Sequence, residues 1–393
     1  MTEHHSILGA LALGYAPMID PQRIVAATRL TVFPLRPDAR LDAGELLAAV
    51  AEVWPAGGKP ALLHVLSESL LQDLLAAAPS ANLMLEVPSF MVAGQAEALL
   101  ALKRRGSTLL LKGRPLAPLA PELQACFKYL VQDLDDARAQ PAPAGLPRLV
   151  SAVRGAAALE DCFAQGAQAV LGWPMEGRFE APEGGSAKAE VQADLQVIVQ
   201  LMSQVDQGED IDKMEATLKR DPSLAFKLLR YMNSAAFGLP VEVSSFRHAI
   251  MLLGMARLKR WLALLLTTAS KDHTMRPIMF GALRRGLLME ELAKGMDDRE
   301  MRDEMFICGL FSLLDHMLKQ PFARLLQAIP VPERVRQALV DDGGPYQPYL
   351  ELVRAIEAES VFDYRHAAEQ LLLDAQEINH AVLRALAKAA QLE

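Results

Sequence analysis

The chain has 393 residues, of which 51% are hydrophobic and 22% charged, and a formal net charge of −8. Two domains are the expected organisation at this length, and the composition excludes general disorder. The acidic balance excludes a broad electrostatic footprint for nucleic acid. The wide spacing of Cys126, Cys162 and Cys308 excludes a disulfide framework or a cysteine zinc cluster.

Met1–Ile7 lacks the basic-then-apolar pattern of a signal peptide, and the most apolar later stretch, Trp261–Thr268, is too short to span a bilayer. A cytoplasmic protein without membrane insertion is the expectation. Short apolar runs then recur at Ile24–Phe33, Ala61–Leu66, Asn82–Val87, Thr108–Leu111, Phe127–Val131, Arg148–Val153 and Ala169–Leu171. Helix-like stretches such as Ala43–Val53, Gln95–Arg104 and Ala156–Gln165 lie between most of them. Apolar runs alternating with helices are what a parallel sheet covered on its outer face requires, and so many runs in so short a length predict a closed β/α barrel.

"GRFEAPEGGSAKAE", Gly177–Glu190, has the composition of an exposed connection. Beyond it the period is helical throughout, over Leu195–Val205, Met214–Arg220, Ser223–Ala235, Phe246–Leu253, Met255–Ser270, Pro277–Lys294 and Glu304–Leu318. The sequence therefore predicts α/β followed by all-α: a barrel over 1–180 and a helical bundle over 191–393. Asp221-Pro222-Ser223 supplies a cap and a proline at a helix start, Gly238 and Pro240 stop that helix, and Ser244 or Ser245 can cap the next, which Gly254 interrupts.

The run Asp221–Leu262 resembles the HDOD domain, an output module related to HD phosphohydrolases. The matching landmarks are Asp221-Pro222, Leu228-Leu229, Asn233-Ser234, Phe237-Gly238, the turn from Ser245 to His248-Ala249-Ile250, and Leu252-Leu253-Gly254. An HDOD domain behind an α/β region resembles the EAL–HDOD signalling proteins. In outline, the first half is similar to the EAL cyclic-di-GMP phosphodiesterase barrel, with "YAPMID", Tyr15–Asp20, as its opening strand. The Glu-Ala-Leu position reads Thr28-Arg29-Leu30, the paired aspartates are replaced by Leu111-Lys112-Gly113, and the late "GVE" element reads Ala152-Val153-Arg154. Of the family's acidic set only Glu86 survives, with Asp133 a looser match.

The resemblance implies two divalent cations held by several carboxylates, and a lone glutamate beside Lys112 and Arg154 cannot build that oxygen cage. No catalytic, metal-binding or cofactor-binding residue is therefore assigned. Thr28, Glu86, Lys112 and Arg154 stand as vestigial positions, where the two cations could face a nucleotide phosphate. In the helical half the His-Asp place of HD hydrolases reads Ser312-Leu313, with Asp315-His316 one turn later in reverse order. That couple reads as a solvated or locally paired polar pair. Arg257, Lys259, Arg260 and Trp261 read chiefly as a solvated helix face and secondarily as a contact patch that Arg284-Arg285 could extend.

The expectation is a non-catalytic signalling protein acting on other signalling proteins, in the cyclic-di-GMP-related control of motility or biofilm that the resemblance implies. Asp221, Pro222, Asn233, Ser234, Phe237, Gly238, His248 and Gly254 are its candidate interaction residues. Two alternatives stand beside it: a cyclic-di-GMP receptor working through the barrel, and a metal-dependent phosphohydrolase.

Overall fold

The computed structural model describes residues 5–36, 39–77, 79–139, 145–175, 177–179, 193–220, 224, 245–268, 272–296 and 298–392. Eight strands, β1 (Leu11–Ile19), β2 (Val25–Pro34), β3 (Ala61–Val65), β4 (Leu83–Pro88), β5 (Leu109–Lys112), β6 (Phe127–Asp133), β7 (Arg148–Arg154) and β8 (Ala169–Trp173), close into a barrel in chain order. Each predicted apolar run and the opening "YAPMID" segment falls on one of them.

The seven apolar runs read as a parallel sheet are β2 to β8. β2 to β8 are mutually parallel, whereas β1 runs antiparallel to both β2 and β8. The reason is the length of the first connection. Parallel neighbours need a crossover of about a dozen residues or more, and β1 reaches β2 through a tight turn instead. There the Ile24 N–H donates to Asp20 Oδ1 at 2.8 Å, and Arg23 takes φ 63°.

Helices α1 (Ala43–Val53), α2 (Glu68–Ala77), α3 (Ala96–Arg104), α4 (Pro121–Gln124), α5 (Leu134–Ala139) and α6 (Ala156–Ala164) occupy the connections. Asp42 caps α1 by accepting the Glu45 N–H, and Ala43, Leu46, Ala49, Val50 and Val53 form its buried face.

Inside the barrel the period of two sets the chemistry of each level. Ala27, Leu62, Met84, Leu110, Val131, Leu149, Ala169 and Leu171 form one apolar cluster. Two residues further along the same strands, on the same side, stand Arg29, His64, Glu86, Lys112, Asp133, Ser151 and Trp173. An oily floor thus carries a polar layer towards the C-terminal ends of the parallel strands.

The chain divides into two compact units, both discontinuous: Met1–Glu176 with Arg354–Leu383, and Gly177–Val353 with Arg384–Glu393. This departs from a helical domain running unbroken over 191–393, because part of the C-terminal helices belongs with the barrel. In the first unit the end of α15 (Gln347–Glu357), α16 (Val361–Leu371) and most of α17 (Ala375–Leu392) lie with the strands. Asn379, fully buried on α17, donates to the carbonyls of Leu8 and Leu11 at 2.7 Å each and accepts the Leu13 N–H at 3.0 Å. It satisfies backbone groups at the start of β1 that the barrel ladder leaves open.

The second unit is helical: α7 (Ala193–Asp206), α8 (Ile211–Leu218), α9 (Phe246–Thr268), α10 (Arg276–Leu292), α11 (Arg299–Phe311), α12 (Leu314–Leu318), α13 (Phe322–Ala328) and α14 (Glu333–Val340). Of the two serines offered as a cap for α9, Ser245 accepts the His248 N–H at 3.1 Å. Gly254 breaks α9 with φ 74° and ψ 168°, a conformation reserved for glycine. The expected Glu304–Leu318 helix is two pieces, with Ser312 and Leu313 forming the corner.

Candidate functional site

The polar layer of the barrel is a chain of ion pairs. The Arg29 guanidinium donates to Glu86 Oε2 at 3.2 Å, and its Nε lies 2.9 Å from Glu86 Oε1 as an ion contact without hydrogen-bond alignment. His64 Nδ1 reaches Glu86 Oε2 at 2.9 Å. Strand register produces this meeting: Leu62 pairs with Arg29 on β2 and with Met84 on β4, so His64 and Glu86, each two residues on, stand level beside Arg29. Glu86 is completely buried. Burial alone would raise its carboxyl, but Arg29 and His64 overcome that cost and hold it down at about 2.

Beside this pair, Lys112 donates to Asp133 Oδ1 at 2.6 Å and to Ser151 Oγ at 3.0 Å, and Ser151 itself donates to Asp133 at 2.6 Å. Burial pushes the Asp133 carboxyl up, and the Lys112 and Ser151 hydrogen bonds bring it below its ordinary value.

A third carboxylate enters from far along the chain. Glu359, between α15 and α16, accepts from Arg29 Nη1 at 3.2 Å and from the Thr31 hydroxyl. Arg154 donates to the Ala358 carbonyl at 2.9 Å, and the Tyr15 hydroxyl donates to Glu357 at 3.3 Å. Tyr15 packs edge-on against Trp173, whose indole N–H donates to the Tyr15 carbonyl at 3.2 Å.

Of the four vestigial positions, Glu86 and Lys112 sit in this layer. Thr28 does not, because a strand turns successive residues to opposite sides and the inward position belongs to its neighbour Arg29. Arg154 grips backbone. Both cations expected to face a phosphate therefore bind the protein itself. Arg29, His64 and Glu359 were not among the predicted site residues. An arginine inside an otherwise apolar strand was the available signal for the first, and nothing local marks Glu359.

The two divalent cations implied by the EAL resemblance do not fit this donor set. A hard cation needs six or more oxygens, supplied for Mg²⁺ by one or two free carboxylates together with water and substrate phosphates. Here both Glu86 oxygens face cationic or imidazole nitrogens, Asp133 is held by Lys112, and Arg29 stands where a second positive charge would go. No group of three His, Cys, Asp or Glu residues placed to hold a metal occurs among the described residues.

In the helical unit the Ser312 hydroxyl donates to the Gly309 carbonyl at 2.7 Å and accepts from Arg285 at 3.1 Å. Asp315 accepts the Phe179 N–H at 2.8 Å, and His316 Nε2 lies 2.9 Å from the Gly177 carbonyl. That polar couple fastens the chain entering the unit. The expected basic patch is not continuous. Lys259 pairs with Asp206, Arg260 pairs with Glu290 at 2.7 Å and Asp303 at 3.1 Å, and Trp261 is buried. Arg284 and Arg285 are buried too and do not extend it.

Arg260, stacked 3.9 Å from the Phe306 ring centroid, lies in the wall of a groove of about 1030 Å³ that also takes in exposed Arg257 and Arg299. Among the candidate interaction residues, His248 is half-buried and Gly254 exposed, while Asp221, Pro222, Asn233, Ser234, Phe237 and Gly238 lie outside the described residues.

Residues 193–321 match the HDOD domain family. The chain is 32% identical over 180 residues, 45% of its length, to the uncharacterized protein YuxH of Bacillus subtilis (strain 168). It is 25% identical over 190 residues, 48% of its length, to the cyclic di-GMP phosphodiesterase CdgJ of Vibrio cholerae. These matches span 43% and 44% of the two relatives, less than half of either. Among solved structures, the Pseudomonas aeruginosa FimX EAL domain bound to c-di-GMP is 13% identical at a TM-score of 0.30, covering 45% of this chain and 96% of that one. The chain therefore carries an HDOD domain at residues 193–321, and an eight-stranded β/α barrel precedes it.

Proposed function

We propose that this protein is a non-catalytic member of cyclic-di-GMP-related signalling that acts by binding other proteins. One observation carries the reading: Glu86, the carboxylate that survives from the family's metal-binding set, is consumed by Arg29 and His64. Phosphodiester hydrolysis of the two-cation type needs carboxylates free to hold metal and a metal-bound water to attack phosphorus. A buried carboxylate held at about 2 by a guanidinium already has its counter-ion, and a second cation at that spot would meet the first. The barrel then contributes a stable body, and the HDOD domain contributes the partner-binding surface.

The full chain incubated with cyclic-di-GMP and either Mg²⁺ or Mn²⁺ is expected to release no linear dinucleotide above a protein-free control. Release that scales with protein concentration and disappears in Glu86→Gln would contradict the reading. Capture of partners from the native host, repeated with Asn233 and Phe237 altered, tests the other half. Loss of partners is the expected result, and an unchanged set would discard that surface.

A further inference from the structure

Glu359 occupies a position that its own helix end disfavours. α15 closes with a Schellman turn: the Glu359 N–H donates to the Ile356 carbonyl at 3.2 Å and the Ser360 N–H to the Ala355 carbonyl at 3.1 Å. The residue at the left-handed corner of such a turn is usually glycine, and Glu359 takes φ 55° there. A carboxylate at a helix C-terminus also opposes the helix dipole. Two local penalties therefore fall on one side chain. Both are offset by a distant gain, because the same carboxylate accepts from Arg29 and Thr31 in the barrel.

The opposite surface is shaped for it. A Cβ added at Gly14 of β1 would stand 2.9 Å from the Ile356 carbonyl oxygen and 3.2 Å from the Glu359 Cγ, so glycine there lets the corner settle onto the strand. Charge completes the match. Arg29 pairs with both Glu86 and Glu359, Lys112 pairs with Asp133, and Arg154 donates to the Ala358 carbonyl in the same corner as Glu359. Without Glu359, Arg29 Nη1 and the Thr31 hydroxyl lose the acceptor they share.

We propose that Glu359 is a built-in oxyanion ligand, a latch that holds the corner of residues 354–372 on Arg29 and Thr31 of the barrel and that an external phosphate-type oxyanion can displace. The two anchors of this segment differ in kind. Asn379 holds α17 by buried hydrogen bonds to β1 backbone, which no ion competes for, whereas Glu359 holds the corner by charge. Release therefore swings α16 and leaves α17 in place. α16 already presents Phe362 to solvent, 81% exposed, and Leu372 follows it at 91%. The latch does not depend on the absence of catalysis: dinucleotide turnover would overturn the function proposed above and leave the latch standing.

Hydrogen exchange by mass spectrometry on the full chain tests it, with wild type and Glu359→Gly compared with and without inorganic pyrophosphate at matched ionic strength. Glycine improves the turn, so exchange in the variant is slower or equal if the bonds to Arg29 and Thr31 add nothing to the corner's stability. The latch predicts that exchange across 354–372 rises about tenfold or more in Glu359→Gly, with peptides around Asn379 unchanged. It predicts that pyrophosphate speeds exchange in the same segment of wild type and has no further effect on the variant. Equal or slower exchange in the variant, or a wild type indifferent to pyrophosphate, overturns the proposal. Gly14→Val, which keeps the carboxylate but crowds its seat, is expected to loosen the same segment, and a segment as protected as wild type in that variant also counts against it.

Discussion

At the residue scale the controlling fact is that Arg29 and Glu86 are buried together and hold each other in the charged state. Removing one partner of a buried pair costs far more than replacing both with apolar groups, because the survivor stays charged without compensation. Arg29→Ala is thus expected to destabilise the protein by about 3–5 kcal/mol in chemical denaturation, and Arg29→Leu with Glu86→Leu by much less. The pair also sets an acid limit. The folded Glu86 carboxyl titrates at about 2 against an ordinary 4.5, so its stabilisation is complete above 4.5 and disappears as the pH falls from there to 2. Wild type should lose about 3 kcal/mol more than Glu86→Gln across that window, and parallel pH profiles for the two would contradict the assignment. Glu86 was legible in the sequence as an isolated acid on an apolar strand. The rest of the ion-pair chain was less so, since His64 reads as one histidine among eight and Glu359 lies 330 positions from Arg29.

At the element scale, strands and helices followed closely from apolar periodicity, because each buries one side against the same core. The direction of β1 did not, since an apolar run looks alike in either orientation and only the tight Asp20–Ile24 turn decides it. The break in α9 was legible, because glycine within an apolar helical run has few other uses. A Cβ at Gly254 would meet nothing within 4 Å, so Gly254→Ala carries only the backbone penalty of its φ 74°. A loss of about 1–3 kcal/mol is expected from thermal melts. A neutral substitution would mean that α9 tolerates a straight path at that point.

At the scale of the whole molecule, the two units cross the chain order, and this could not be read from periodicity. The helices at 354–383 have the same amphipathic pattern as those of the second unit, and it is Asn379, Glu357 and Glu359 that assign them to the barrel. A chain ending at 353 should therefore lose the barrel's native near-ultraviolet circular dichroism, because β1 keeps unsatisfied backbone groups where Asn379 had been. A folded, soluble 1–353 fragment would contradict that division. Within the barrel, the acidic layer is neutralised by the chain's own cations. A crystal grown with excess manganese, examined by anomalous diffraction, tests this most directly. No manganese peak within bonding distance of Glu86 or Asp133 is the predicted result, and an occupied ion with several protein oxygens around it there would contradict the account.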